Sequence, residues 1–259
     1  MKLIASDMDG TLLQNGSMQV SDRAIHLIQQ LTKKGYLFVA ASGRQYPNLQ
    51  RQFKEAAKDM AFICENGAVV FYQEKLLVKI PMEHNLTMQL CHDIYNRAGC
   101  EVLISGIKTS YLKPKQHSFL NRMQHIVKNN VQVIENFVDI KEPIVKVSVF
   151  EEEGIIEHSA DYFIKTWEDK LKCTISGFSW LDFVNLNVNK GSSLLSLMEF
   201  LHIPQQNTYA FGDNYNDIEM LQTVEYGYIM ENAVDELKQQ FPLKTILVED
   251  ELEKLLWLE

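Results

Sequence analysis

The feature that most constrains this chain is a short apolar stretch, residues 3–6, that ends in two aspartates one residue apart. In a β-strand, residues i and i+2 point the same way, so Asp7 and Asp9 begin on one face with their carboxylates a few ångströms apart. At ~5 Å and an effective dielectric constant of about 20, their repulsion is about 3 kcal/mol, which requires a nearby cation or a shifted pKa. Gly10 follows directly and allows the chain to turn away. The stretch therefore predicts a strand end that carries chemistry.

Strand and helix patterns alternate after this stretch. Residues 21–35 have a serine N-cap, helical apolar spacing and a glycine stop, and residues 36–41 have the pattern of a buried strand. The same alternation returns at residue 187, with a helix predicted over residues 192–201. Such strand-helix-strand units build parallel sheets whose ligand sites lie at the carboxyl ends of the strands. We therefore predict an α/β fold with a Rossmann-like parallel-sheet core.

The middle of the chain has a different pattern. Between residues 82 and 186, two main helical stretches lie among several short alternating strands, which is typical of a separate α+β unit. A hairpin turn is predicted just before it, at Asn66-Gly67. We expect residues 1–81 and 187–259 to form one core domain, and residues 82–186 to form an inserted α+β cap over the edge of its sheet.

Composition excludes several classes of function. The chain has 259 residues, 46% of them hydrophobic and 23% charged, which is the balance of a soluble globular protein. Its net charge of −9 argues against a nucleic-acid partner, because phosphate backbones are bound by basic surfaces. The longest apolar stretches have the length of strands, so we expect a cytoplasmic protein with no membrane partner. The four cysteines fit no metal-binding spacing and are predicted to be buried reduced thiols: Cys64, Cys91, Cys100 and Cys173.

Four polar loops carry the candidate chemistry. They are Asp7-x-Asp9-Gly10-Thr11, Ser42-Gly43-Arg44, Asn189-Lys190-Gly191 and Gly212-Asp213-Asn214-x-Asn216-Asp217. Together they supply carboxylates, a hydroxyl, an ammonium and glycines that permit close backbone approach, which is the inventory for phosphoryl transfer with a hard divalent metal. Mg²⁺ prefers oxygen ligands, and an ion shared by Asp7 and Asp213 would relieve the repulsion described above.

These motifs, in this order, resemble those of the haloacid dehalogenase superfamily of aspartate-nucleophile phosphatases. The inserted segment and the turn at residues 65–68 resemble the Cof-type sugar-phosphatase branch, which has a large α+β cap. A lone DxD pair would be a weak signal, whereas the four motifs together are specific. The resemblance implies a Mg²⁺-dependent phosphatase of small phosphomonoesters that works through an aspartyl-phosphate, with a cap that selects the substrate.

The resemblance also implies roles for individual residues. Asp7 corresponds to the nucleophile and, with Asp213, to a metal ligand. Asp9 corresponds to the general acid/base and binds the ion through its backbone carbonyl. This division agrees with physical chemistry, because a metal-bound carboxylate stays ionised, whereas a neighbour held off the metal can keep or regain a proton.

The remaining assignments concern the phosphoryl group. The resemblance implies five positions that bind the substrate phosphate: Met8, Ser42, Gly43, Lys190 and Asn216. Lys190 is also expected to be catalytic, since its charge neutralises the transferring group and offsets crowding among the acids. Three further positions are expected to support the site: Thr11, Arg44 and Asp217. Asp217 would orient Lys190 or the metal shell.

Each motif alone has a simpler structural explanation. Asp7 and Asp9 can belong to a capped turn, Ser42 and Asp213 can cap helices, and Lys190 can be an exposed lysine at a helix start. Only the set of motifs favours chemistry. Two other functions stay open at this point: a phosphosugar mutase, which returns the phosphoryl group to sugar, and a non-catalytic Mg²⁺- and phosphate-responsive module similar to a receiver domain. The oligomeric state and the physiological substrate do not follow from the sequence.

Overall fold

The computed structural model describes residues 1–257 of the chain. It divides into two compact units, which we call the core unit (residues 1–78 and the chain from residue 189 onward) and the inserted unit (residues 79–188). These divisions lie three and two residues from the boundaries expected at 81/82 and 186/187. No helix within residues 1–257 is both long enough and apolar enough to cross a lipid bilayer.

The strands follow one another in both units. In chain order they are β1 (Lys2–Asp7), β2 (Tyr36–Ala41), β3 (Ala61–Cys64), β4 (Val69–Tyr72), β5 (Lys75–Lys79), β6 (Cys100–Ser105), β7 (Ser110–Leu112), β8 (Val131–Val133), β9 (Lys146–Glu151), β10 (Leu171–Ile175), β11 (Trp180–Asn185), β12 (Thr208–Gly212), β13 (Tyr226–Met230) and β14 (Leu243–Thr245).

The α-helices alternate with these strands. They are α1 (Asp22–Lys33), α2 (Tyr46–Gln52), α3 (His84–Asn96), α4 (His117–Asn121), α5 (Ala160–Trp167), α6 (Lys190–Phe200), α7 (Ile218–Thr223), α8 (Asp235–Lys238) and α9 (Val248–Trp257). Helix α1 begins as expected, because the Ser21 hydroxyl accepts the N–H of Ala24 at 3.0 Å. Helix α6 begins at Lys190, two residues earlier than expected, because the Asn189 side chain accepts the N–H of Ser192 and caps the helix there.

The core unit contains an eight-stranded sheet in the order β14-β13-β12-β1-β2-β3-β4-β5. Strands β14 through β3 pair in parallel, and β4 returns antiparallel to β3. All six residues of β2 are buried, as expected for parallel strands covered on both faces. The predicted α/β fold with a parallel sheet is confirmed. The loops that follow the parallel strands therefore lie at one edge of the sheet.

The turn between β3 and β4 is pinned to helix α6. Asn66 and Gly67 adopt positive φ values of 58° and 109°, which confirms the hairpin turn expected at Asn-Gly. A side chain at Gly67 would overlap the backbone carbonyl of Asn189, so only glycine fits. The Ser193 hydroxyl donates to the Gly67 carbonyl at 2.5 Å. This hydrogen bond holds the turn against the first turn of α6.

The inserted unit has a six-stranded sheet in the order β10-β11-β9-β6-β7-β8, antiparallel except for the β7–β8 pair. One face packs on α3 and α5 around a large apolar core that includes Leu90, Val149 and Phe163. The other face is covered in part by α4, where Phe119 stacks on Phe150. Helices on a mainly antiparallel sheet are the α+β pattern expected for this segment.

The same face of the inserted sheet carries a buried ion pair. The Lys146 ammonium lies 3.4 Å from the Asp182 carboxylate, and the exposed fractions of the two side chains are 8% and 5%. The Ser148 hydroxyl donates to the other Asp182 oxygen at 2.6 Å. Cysteine burial agrees with the sequence for Cys64, Cys91 and Cys100, whereas the fourth cysteine, Cys173, is partly exposed.

Candidate active site

Side chains from three distant segments meet at the carboxyl edge of the core sheet. The Lys190 ammonium at the start of α6 donates to Asp7 Oδ1 at the end of β1. The Thr11 hydroxyl donates to Asp213 Oδ1 at 2.7 Å, across 202 residues of sequence. The parallel register explains this meeting, because β1 lies between β2 and β12 and all three strands end on the same side.

The loop after β1 is a tight turn. The Leu13 N–H donates to the Met8 carbonyl at 2.7 Å, and the Gly10 N–H donates to the Leu13 carbonyl at 2.9 Å. Gly10 has a φ of +93°, and a side chain there would overlap the carboxylate of Asp213. Glycine is therefore required both by the backbone conformation and by the close approach of an acid.

Lys190 lies at the centre of the acidic groups. Its side chain is only 1% exposed, and its ammonium donates to Asp7 Oδ1 at 2.5 Å and to Asp217 Oδ1 at 2.6 Å. Burial acts to lower the pKa of Lys190, but the carboxylates of Asp217 and Asp7 outweigh burial and raise its pKa above the ordinary value. The lysine is therefore held in its charged form between two carboxylates.

Three carboxylates crowd around this one cation. Oxygens of Asp7, Asp213 and Asp217 lie within 4.8 Å of one another. Burial and the nearby charges of Asp217 and Asp213 raise the pKa of Asp7 well above its usual range, although Lys190 acts in the opposite direction. Burial also raises the pKa of Asp213, against a lowering by the hydrogen bond from Thr11. One lysine does not balance three acids, and the hard oxygen donors suit a divalent cation such as Mg²⁺.

Asp217 organises the loop after β12. It is completely buried, and its Oδ2 accepts the backbone N–H groups of Asp213 and Asn214 at 3.1 and 3.0 Å, while Oδ1 accepts from Lys190. Both oxygens therefore have partners within the protein. This arrangement places Asp217 inside the carboxylate cluster. The metal set expected from sequence was the carboxylates of Asp7 and Asp213 with the backbone carbonyl of Asp9.

The side chain of Asp9 lies outside that cluster. Both of its oxygens accept from the guanidinium of Arg44, with Nε to Oδ2 at 2.9 Å and Nη2 to Oδ1 at 2.5 Å. The Asp9 side chain is 58% exposed, in contrast to the buried Asp7. The two acids that the sequence places one residue apart thus occupy different environments.

The loop after β2 lies beside the turn after β3. Ser42 is buried and its hydroxyl accepts the Arg44 N–H at 3.2 Å, so it caps the start of this loop. The Asn66 N–H donates to the Ser42 carbonyl, and a side chain at Gly43 would come within 3.0 Å of Asn66 Oδ1. The Asn216 amide approaches the same Asn66 oxygen at 3.5 Å.

Asn66 therefore joins the second and fourth motifs, although sequence reasoning used it only as a turn residue. The available signal was its position: it follows β3, the neighbour of β2, and so must lie at the same edge. Met8 was also expected to bind the phosphate. Its apolar side chain is fully buried in the core.

Comparisons with known proteins agree with this fold. The chain belongs to the haloacid dehalogenase-like hydrolase family, which it matches over residues 4–250. The expected membership of this superfamily and the expectation of an enzyme are thereby confirmed.

The chain is similar to individual proteins of known sequence or structure. The chain is 27% identical to the 5-amino-6-(5-phospho-D-ribitylamino)uracil phosphatase YbjI of Escherichia coli, over 90% of this chain and 86% of that protein. The structure of SMU.1108c from Streptococcus mutans superposes with a TM-score of 0.85 at 26% identity and covers all of both chains. A HAD/COF-like hydrolase of Plasmodium vivax has a TM-score of 0.87 at 20% identity, over 100% of this chain and 96% of that one. The last likeness shows the fold.

Proposed function

We propose that this protein is a Mg²⁺-dependent phosphatase that hydrolyses small phosphorylated metabolites through an aspartyl-phosphate on Asp7. The observation that carries the proposal is the buried Lys190 ammonium, which contacts Asp7 at 2.5 Å beside a second and a third carboxylate. A charged lysine next to a nucleophile can neutralise a transferring phosphoryl group. Membership of the hydrolase family and the phosphatase named for the Escherichia coli relative support the same chemistry.

The reaction proceeds in two balanced steps. An oxygen of Asp7 forms a bond to phosphorus as the bond from phosphorus to the leaving oxygen breaks, and that oxygen keeps the electron pair and takes a proton from Asp9. Asp9 then takes a proton from water, whose oxygen attacks phosphorus and displaces the Asp7 carboxylate, so that inorganic phosphate leaves. The half-exposed Asp9 side chain suits exchange of protons with an incoming alcohol and with water.

A metal ion would be held by Asp7 and Asp213, with the backbone carbonyl of Asp9 as a further ligand. The crowding of these carboxylates with Asp217 within 4.8 Å supports this assignment, since one lysine leaves excess negative charge. When bound, Mg²⁺ supplies charge neutralisation for a phosphoryl group. Asp217 acts through its hydrogen bonds, because it positions Lys190 and the backbone of the Asp213 loop.

Hydrogen-bond donors for the phosphoryl oxygens come from the loops around Lys190. We assign the Ser42 hydroxyl, the Gly43 and Met8 backbone N–H groups and the Asn216 amide to this task. Successive backbone N–H groups in a turn form a common anion site. The inserted unit is proposed to select the leaving group, so that the core unit supplies the chemistry and the inserted unit the specificity.

The test is phosphate release from p-nitrophenyl phosphate and from a panel of sugar phosphates and phosphorylated cofactors, with and without Mg²⁺. We expect Mg²⁺-dependent release by the wild type and a loss of at least about 1,000-fold for Asp7→Asn, because the nucleophile is removed. Asp22→Asn is the matched control, an exposed aspartate at the start of α1. Undiminished turnover by Asp7→Asn refutes the mechanism, and an isomerised sugar phosphate without phosphate release indicates a mutase.

A further inference from the structure

Resting on the proposed function, we propose that Arg44 is a positioning residue for Asp9: its guanidinium holds the Asp9 carboxyl group in the orientation from which it serves the leaving oxygen. Arg44 acts through Asp9 and not on the phosphoryl group. This role explains why an arginine follows Ser42 and Gly43 in the loop after β2.

The contact is a two-bond fork. Nε and Nη2 of Arg44 lie 2.9 and 2.5 Å from the two different oxygens of Asp9. Such paired bonds between guanidinium and carboxylate fix direction as well as distance. An aspartate carboxyl group otherwise rotates over a broad range about its terminal torsion, and a half-exposed one has little packing to stop it. The fork therefore removes the rotation that a catalytic carboxyl group cannot tolerate.

Both partners of the fork are anchored through their backbones. The Arg44 N–H donates to the Ser42 hydroxyl, and the Arg44 carbonyl accepts the N–H of Glu65 at 3.2 Å. Asp9 lies in the turn closed by the hydrogen bonds of Leu13, with which it forms an isolated β-bridge. The parallel pairing of β1 and β2 brings these two loops side by side. The fork thus joins two loops whose backbones are both held by hydrogen bonds.

The exposure of the pair also favours a positioning role over a structural one. The Asp9 side chain is 58% exposed and that of Arg44 is 22% exposed, so the carboxyl group is open to an incoming substrate whereas the guanidinium that holds it is mostly covered. Arg23 shows the contrast: its side chain is 48% exposed, and its guanidinium pairs with Asp250 and Glu253 of helix α9 and not with a residue of the four motifs. Arg23→Ala is therefore a matched control.

The experiment measures kcat/KM for a series of phosphomonoesters whose leaving groups range from p-nitrophenol to aliphatic alcohols. This ratio reports the steps up to departure of the leaving group. Aliphatic alcohols need a proton to leave, whereas p-nitrophenolate does not. For Arg44→Ala we expect a loss of about 10- to 100-fold with alkyl phosphates, part of the 10²- to 10⁴-fold that general acids contribute, and a loss below about 3-fold with p-nitrophenyl phosphate.

The Arg44→Lys variant distinguishes the effect of orienting the Asp9 carboxyl group from the effect of a positive charge at residue 44. Lysine keeps a positive charge but cannot form the fork, so we expect the same steepened dependence on the leaving group as for Arg44→Ala. Asp9→Asn removes the acid itself, so its kcat/KM should depend most steeply on the leaving group. The double variant Arg44→Ala/Asp9→Asn should show the same dependence as Asp9→Asn alone. Thermal unfolding of every variant, with Arg23→Ala for comparison, establishes that the proteins are folded.

Other results overturn the proposal. An equal loss for all substrates means that Arg44 binds the phosphoryl group or supports the fold, and rescue by Arg44→Lys means that only its charge matters. An unchanged Arg44→Ala shows that the fork has no role. If Asp9→Asn itself follows the wild-type dependence, Asp9 is not the acid and the positioning role is wrong, while the Asp7→Asn assay still decides whether the protein is a phosphatase.

Discussion

Replacing Lys190 by methionine should couple the stability of the core unit to Mg²⁺. Methionine is unbranched and similar in length, so the substitution removes the charge with little change in packing. The buried ammonium that contacts Asp7 and Asp217 is lost, and three carboxylates remain within 4.8 Å of one another.

The magnitude follows from these distances. Two unit charges 4.8 Å apart repel by about 3 to 4 kcal/mol at an effective dielectric constant of ~20. Removing one partner of a buried ion pair costs about 3–5 kcal/mol in measured cases. We therefore expect the free energy of unfolding to fall by about 3–5 kcal/mol without metal, which corresponds to a drop in the unfolding temperature of ~6–20 °C.

Mg²⁺ should raise the free energy of unfolding of Lys190→Met by more than it raises that of the wild type. A divalent cation binds the native site more tightly once Lys190 no longer opposes it, and a ligand that binds the native state raises stability as the ratio of its concentration to its Kd increases. Activity should not recover, because Mg²⁺ held by the carboxylates does not replace the Lys190 ammonium, which is a separate positive charge next to the phosphoryl group. We expect kcat to fall by about 100-fold or more.

The assay is thermal unfolding followed by fluorescence, in EDTA and in saturating Mg²⁺. The matched control is Lys146→Met, which breaks the buried pair with Asp182 in the inserted unit. That variant should be destabilised as well, but Mg²⁺ should not recover the loss. Two results would show that Lys190 does not offset the charge of the three carboxylates: Lys190→Met unfolds at the wild-type temperature in EDTA, or Mg²⁺ raises the unfolding temperatures of Lys190→Met and the wild type equally.

Two further substitutions test the loops around this cluster. Gly10→Ala should destabilise the protein by about 1–2 kcal/mol through its positive φ and, by displacing Asp213, raise the Mg²⁺ concentration needed for half-maximal activity. Gly16→Ala, which has a positive φ but open space around it, should show only the loss of stability; equal Mg²⁺ requirements would contradict the argument. Asp217→Asn presents an amide N–H₂ to groups that are all donors, so denaturant unfolding should show a loss of about 1–3 kcal/mol, and kcat should fall because Lys190 loses an anchor. Wild-type values in either assay would exclude this role.

The architecture of the core unit could be predicted from local patterns. The Ser21 cap, the stop at Gly35 and the buried strand over residues 36–41 all depend on neighbours within a few residues, and each appears in the structure. Because parallel strands end at one edge, the order of the motifs was sufficient to place Asp7 and Asp213 close together. The predicted start of α6 was wrong by two residues, because in the sequence Asn189 is indistinguishable from an ordinary loop residue.

The partners of individual side chains were much less predictable. The pairing of Arg44 with Asp9 depends on the register of β1 against β2 and on the tight turn at Gly10. The use of both Asp217 oxygens depends on the path of a loop 27 residues beyond Lys190. Asn66 entered the site only because β3 pairs beside β2. None of these contacts leaves a periodic signal in the sequence.

The sequence by itself determined which chemical groups the protein possesses and at which edge of the sheet they gather. Spacing and strand polarity are local properties, and they carry that information. Tertiary structure alone decided how the two aspartates of the first motif differ: Asp7 is buried against Lys190, and Asp9 is half exposed in the fork of Arg44. The physical reason is that burial and charge at each carboxylate come from residues 35 to 183 positions away, whose approach only the folded chain establishes.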